Sequence, residues 1–333
     1  MTTNKLPLSL PSPKRGHNLW VIARKEISDA FRNRLFLVAM AMLLILSLIA
    51  IGLGSVTVGQ KMVEYNQSVK ILTDLGRTDL PPAPALNPIA VSKNFINYLA
   101  MVGALLAMIL GFTAIQKERQ AGTLSLILSR PVYRDQFLSG KVLGNALLLA
   151  ALMAVVGLVT VLAIGLVGKV TLTADQSIRL ALTMLMSWLY MLTFFLLAMF
   201  FSLRLPNGNH ALLLTVIVWL VFAFIFPQIG DTMDLDNQLP GGFFATLGLD
   251  KTGEDKALQQ FQWYETVRDG VEELSPTKHY ERISFALLGI KQGFTDNTWQ
   301  EVLQLKAVNL VGLLVPIVLL LSASYAVFLR QES

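Results

Sequence analysis

The chain has 333 residues, 54% of them hydrophobic and only 15% charged, with a mean hydropathy of +0.57. An ordinary soluble domain carries about 25% charged residues, so this composition excludes a water-soluble globular fold and indicates an integral membrane protein. The formal net charge is +5, and there is no cysteine, which rules out disulfides, thiolate metal sites and cysteine nucleophiles.

In chain order, a tail containing Pro and Ser leads into residues 18–34. There Trp20, Ala23, Ile27, Ala30 and Phe31 share one side of a predicted helix, and Arg24, Lys25, Arg32 and Arg34 lie elsewhere. That pattern predicts an amphipathic elbow helix in the inner headgroup layer. The tail does not read as a cleaved signal peptide, since no small-residue processing site follows a short apolar core. Six runs free of Asp, Glu, Lys, Arg and His follow, at 35–56, 95–115, 142–167, 180–203, 211–229 and 307–329. Each approaches or exceeds the roughly 20 apolar residues needed to cross a bilayer core. The predicted fold is an all-α integral membrane protein with six transmembrane helices. Its parts are a cytosolic tail and elbow (1–34), spans 1 to 5 (35–229), an extracytoplasmic helical subdomain (230–306), and span 6 with a cytosolic C-terminus (307–333).

With the N-terminus inside, the tail, the 116–141 loop, the turn at Arg204 and the C-terminal end hold 14 basic and 5 acidic residues. The opposite face holds 13 basic and 17 acidic. Retention of Lys and Arg on the cytoplasmic side then predicts both termini in the cytoplasm of a multi-pass inner (plasma) membrane protein. The charge needs no nucleic-acid partner.

Catalytic signatures are absent. His17, His210 and His279 lie far apart, and no H-E-x-x-H occurs. Gly140-Lys141 has Asp135 and Val142 where a phosphate loop needs Gly and Ser or Thr, and there is no G-x-S-x-G. No catalytic, metal or cofactor site is predicted on this chain. Spans without ionisable groups offer no proton relay, so energy for transport would enter from outside the membrane.

The most informative stretch is 116–141, a charged island between two apolar runs. Leu124, Ile127 and Leu128 form a small apolar patch on a predicted cytosolic helix, the kind of surface that docks a partner. Pro131 ends that helix, and a second piece from Tyr133 leads into the third span. The string Glu118, Arg119, Gln120, Ala121, Gly122, Thr123, Leu124, then Leu128, Ser129, Arg130, Pro131, Arg134 and Gly140-Lys141 resembles the signature loop of ABC type-2 transporter permeases. Gln120 departs from it, standing where an acidic residue is frequent.

The resemblance implies a permease subunit that pairs with a second identical or homologous permease and with two cytosolic ABC ATPase subunits. Those subunits would carry ATP and Mg. The loop would be the coupling helix, with Glu118 and Arg119 in polar contacts at the rim of the ATPase groove. Gly122 would permit close approach, Thr123 and Leu124 would enter the groove, and Leu128, Pro131 and Arg134 would complete the set. Gly122 also reads as a helix-end glycine.

Within the spans, Gly140 and Gly144 form a G-x-x-x-G that suits helix packing or a dimer contact. Asn145 and Asn309 are placed to tie helices together, and Pro316 to kink the sixth span. Met184, Met186, Met191 and Met199 read as packing residues rather than a copper(I) path.

The 231–301 segment carries 13 acidic and 6 basic residues. It predicts helices over 254–274 and, after Ser275-Pro276, over 278–289. Its turn at Leu274-Ser275-Pro276, with Tyr280, resembles one in some permeases of the family, including a branch linked to maturation of copper-containing enzymes. The first outer loop, 59–92, with Pro81, Pro82, Pro84 and Pro88, predicts an irregular cover. The expected function is the membrane subunit of an exporter of amphipathic or hydrophobic cargo, in contact with membrane lipids. The alternative is a mechanotransmission subunit that remodels an extracytoplasmic partner without passing cargo.

Overall fold

The computed structural model describes residues 15–75, 87–122, 134–233, 246–248, 253, 256, 262–290, 294 and 297–330. All regular structure among them is helical. The elements are α1 (Arg15–Ala30), α2 (Arg34–Asp74), α3 (Pro88–Gln120), α4 (Arg134–Leu166), α5 (Ala174–Arg204), α6 (Gly208–Met233), α7 (Gln262–Glu273), α8 (Pro276–Leu287), α9 (Trp299–Leu305) and α10 (Ala307–Arg330). Six of these, α2 to α6 and α10, are long and apolar enough to cross a membrane. Helices satisfy every internal backbone group within one segment, which hydrocarbon demands.

Local signals set the ends. Asn33 accepts from the amides of Leu35 and Phe36 to start α2, and Thr173 with Gln176 forms a capping box on α5. The sequence ends the first span at residue 56, but α2 runs on to Asp74. At 1.5 Å per residue its 41 residues extend about 60 Å, twice a bilayer's hydrocarbon core. The first half of the expected irregular cover is therefore helix. Residues 57–74 contain helix formers and no Pro, so nothing in them stops a helix already nucleated inside the membrane.

Helix α5 is the hub, packing against α3, α4, α6, α8 and α10. Its tightest contact is with α3, where a Cβ on Gly111 would lie 2.1 Å from the Phe195 carbonyl oxygen. Met184, Met186, Met191 and Met199 are all buried in the core, the packing role expected of them.

Among its described residues, the segment between α6 and α10 contains a helical hairpin, α7–α8, packed against the spans. The α7–α8 hairpin folds back among the spans, and its turn reaches about half their depth. Tyr280 of α8 is fully buried and stacks on Tyr190, ring centroids 4.6 Å apart. Tyr190 lies 16 residues into the 31-residue α5, about 24 Å from its start.

Two π-helical turns make room for this. In a π turn the hydrogen-bond ladder is displaced by one residue, which exposes carbonyls to other donors. Ala100, in the π turn Leu99–Gly103 of α3, accepts from the Tyr190 hydroxyl at 2.7 Å. Phe222, in the π turn Val221–Ile225 of α6, accepts from the Ser275 hydroxyl at the hairpin tip. Asn309 of α10 meets His279 at 3.1 Å, and the imidazole fills the notch over Gly312.

At the far end of the hairpin, buried Arg179 of α5 pairs with Asp175 at 2.6 Å and donates to the carbonyls of Leu287, Phe294 and Asn297. Arg179→Ala would leave those carbonyls short of donors. It is expected to cost about 3 kcal/mol, read as a lower midpoint of thermal unfolding in detergent, with Arg179→Lys recovering part of it.

Candidate coupling site at the elbow

The loop singled out by the sequence begins as the last turn of α3 and ends about two turns into α4. Helix α3 stops at Gln120, and Gly122 follows at φ +65°, its amide bonded to the Arg119 carbonyl at 3.2 Å. Left-handed backbone after a helix end is the setting for a C-terminal glycine, so the helix-end reading of Gly122 holds. Thr123, Leu124, Leu128 and Pro131 lie outside the described residues, as does the body of the expected coupling helix. Arg134 opens α4 and is half-buried.

The flanks of the loop are joined by a buried charge cluster. Lys141 is 1% exposed, and its Nζ donates to Glu26 at 2.6 Å and to Glu118 at 3.0 Å. Glu118 also accepts from Lys25 at 2.8 Å. Asn145 donates to the Lys141 carbonyl at 2.9 Å and to Glu26 at 3.4 Å. Lys117 pairs with Asp29 at 3.1 Å on the rim. Two carboxylates thus face two ammonium groups, and the cluster is neutral. That balance is what makes charges tolerable at this burial, because an unpaired one costs several kcal/mol. Burial works against the charge on Lys25. Its hydrogen bond to Glu118 and the fields of Glu118, Glu26 and Asp29 outweigh that and raise its pKa above the ordinary lysine value.

Close packing carries the same connection. A Cβ on Gly140 would lie 2.7 Å from that of Ile22, and one on Gly144 would lie 2.6 Å from the Ala23 carbonyl oxygen. The G-x-x-x-G of α4 is therefore the bed on which α1 lies, and this packing occupies both glycines within the chain. Arg119 reaches the other way, donating to the Leu203 and Leu205 carbonyls at the end of α5. Its cation meets the negative end of that helix.

Within the chain, the two residues expected at the rim of an ATPase groove have partners of their own. Glu118 is buried against two lysines, and Arg119 is directed to α5. Burial favours these partners, since both side chains reach them without leaving the protein interior. The sequence reading missed Lys25, Glu26, Asp29 and Lys141 as a set. The available signal was two acids, Glu26 and Asp29, in the basic elbow and a lysine at the doorstep of an uncharged run.

Among the described residues no three His, Asp or Glu side chains are grouped to hold a metal. A separate apolar groove of about 500 Å³ lies between α4 and α5, lined by Met153, Gly157, Met184 and Trp188 among others.

Residues 20–333 match the family model described as ABC-2 family transporter protein. The chain is 29% identical over 216 residues to the protein named "Probable ABC transporter permease protein NosY" of Stutzerimonas stutzeri, covering 64% of this chain and 69% of that one. It is 33% identical over 135 residues to the protein of the same name from Pseudomonas aeruginosa, covering 40% of each. With the spans, the loop and the match in agreement, the chain belongs to the ABC-2 family of transporter proteins and is a permease subunit of an ABC transporter.

Proposed function

We propose that this permease is one half of a dimeric ATP-driven exporter. Cytosolic ATPase subunits bearing ATP and Mg seat on the 116–141 loop, and the α1 side faces the cytoplasm of the inner membrane. The observation that carries this reading is the buried Lys141–Glu26–Glu118 cluster. It locks both flanks of the loop to the elbow, so a push on the loop moves α1, α3 and α4 as one body, and Arg119 passes it to α5. Amphipathic or hydrophobic cargo is supported by the uncharged spans and by the apolar groove between α4 and α5.

A second reading, transmission of the ATPase stroke to an extracytoplasmic partner without cargo, draws on other observations. Helix α2 projects well beyond the membrane, and the hairpin is keyed into α5 from the far side.

The test is purification of the assembly in mild detergent, identification of co-purifying chains, and ATPase assay of wild type beside Gly122→Trp. A bulky residue at positive φ strains the helix end by about 1–2 kcal/mol and obstructs the docking loop. ATPase subunits at equal stoichiometry with wild type, and activity lost or uncoupled in the variant, are the expected result. Active preparations without any ATPase chain would overturn it. ATP-dependent accumulation of an amphipathic dye in proteoliposomes favours export; coupled ATPase activity without flux favours the second reading.

A further inference from the structure

Beside the charge cluster a cleft of about 270 Å³ opens between α1, the start of α2 and the last turns of α3, lined among others by Asp29, Arg32, Asn33, Thr113, Gln116 and Lys117. Three acidic and three basic side chains border it. Five of them are committed to one another: Lys141 with Glu26 and Glu118, and Lys117 with Asp29. Arg32 has no ion-pair partner among the described residues. Gln116 is 3% exposed, and its Nε2 donor has no hydrogen-bond partner. Buried donors are normally satisfied, so an orphan facing a polar cleft points to a ligand acceptor.

The place of the cleft narrows the ligand. Arg32 and Asn33 link α1 to α2, and the apolar run of the first span begins two residues later, which puts the mouth at headgroup depth. Trp20 (59% exposed), Val21 (54%) and Phe31 (51%) on α1 suit a helix lying against lipid. A lining with equal numbers of both signs favours a ligand that itself carries both and has no net charge. We propose that this cleft seats the headgroup of an ethanolamine phospholipid from the leaflet on the α1 side. The phosphate meets Arg32 and the Gln116 amide, and the primary ammonium turns toward Asp29. Choline has no N–H to donate, and a glycerol headgroup brings no cation. A lipid held there would brace the elbow against α3 beside the charge cluster and so tune coupling. That last clause rests on the proposed function; the seat does not.

The test is native mass spectrometry of the full assembly, delipidated in mild detergent and titrated separately with dioleoyl phosphatidylethanolamine, phosphatidylcholine and phosphatidylglycerol. One phosphatidylethanolamine per permease chain is expected to survive, with affinity about tenfold lower in Arg32→Ala. Affinity is also expected to fall in Gln116→Leu, whose apolar replacement leaves no orphan and is expected to fold. Equal retention of the three lipids, displacement of phosphatidylethanolamine by inorganic phosphate, or undiminished retention in both variants would overturn the proposal. Retention is read without ATP turnover. A filled seat with equal ATPase activity in phosphatidylethanolamine and phosphatidylcholine nanodiscs would therefore support the seat and count against its part in coupling.

Discussion

Lys141→Met is expected to destabilise the subunit by about 3–5 kcal/mol, the cost of removing one partner from a buried ion pair and leaving the other charge behind. The loss is large against a total stability of about 5–15 kcal/mol. Two carboxylates would remain, Glu26 at 7% and Glu118 at 5% exposure, with only the half-exposed Lys25 nearby to balance them. The measurement is the midpoint of thermal unfolding of the purified assembly, followed by ATPase activity per complex at a temperature where the variant is folded. Glu118→Gln should cost less, because Lys141 keeps Glu26 at 2.6 Å. Combining Lys141→Met with Glu26→Gln and Glu118→Gln should restore much of the midpoint, since a neutral, well-filled site is often as stable as a buried ion pair. If Lys141→Met alone leaves the midpoint unchanged, these distances do not describe an energetic link between elbow and loop.

Much of the architecture is legible in the sequence because hydrocarbon imposes a simple demand: long uncharged runs become helices. Five of the six runs lie within spanning helices and the third overruns its helix by one residue, Val167; the amphipathic stretch expected over 18–34 is helical only to Ala30, where α1 ends in a turn before α2. Where a span ends is less legible. Loss of hydropathy marks the edge of the membrane, not the end of a helix, and α2 continues past that edge. The hairpin was legible as two helices but not as an insertion. Its apolar content is too low to signal burial, and the groups that compensate Ser275 and Tyr190 are carbonyls freed by π turns in other helices, which leave no signature in composition.

The elbow site was half legible for a related reason. Gly140 and Gly144 announce close approach, but small residues do not say whose backbone approaches, and it is that of α1. Glu118 and Arg119 stood out by their motif, whereas Glu26 and Lys25 belong to an unremarkable basic flank. Pairing across 93 residues between Lys25 and Glu118 arises from packing, which places α1 across both ends of the loop. Burial then turns ordinary surface charges into partners that neither side can lose cheaply.

Glycine substitutions in the spans should separate the packed faces from the lipid-facing ones with little middle ground. Gly111→Leu is expected to prevent a stable fold. A Cβ there would lie 2.1 Å from the Phe195 carbonyl oxygen and 2.9 Å from the Ala198 Cβ, and neither can swing away as a flexible side-chain end would. Relief requires α3 and α5 to separate along the most extensive helix contact of the bundle, a cost of about 3 kcal/mol or more once strain and lost contacts are combined. Separation would also draw the Ala100 carbonyl away from Tyr190 and loosen the hairpin above it. Gly165→Leu is the matched control, because nothing lies within 4 Å of a Cβ at that position. Near the end of α4 it should leave the midpoint unchanged or raise it slightly, by up to about 1 kcal/mol from helix propensity. Size-exclusion profiles and thermal midpoints of the two variants, expressed side by side, read the difference directly. A monodisperse Gly111→Leu with a wild-type midpoint would mean that α3 and α5 do not meet at this glycine, and the path from the elbow through α5 to the hairpin would lose its first step.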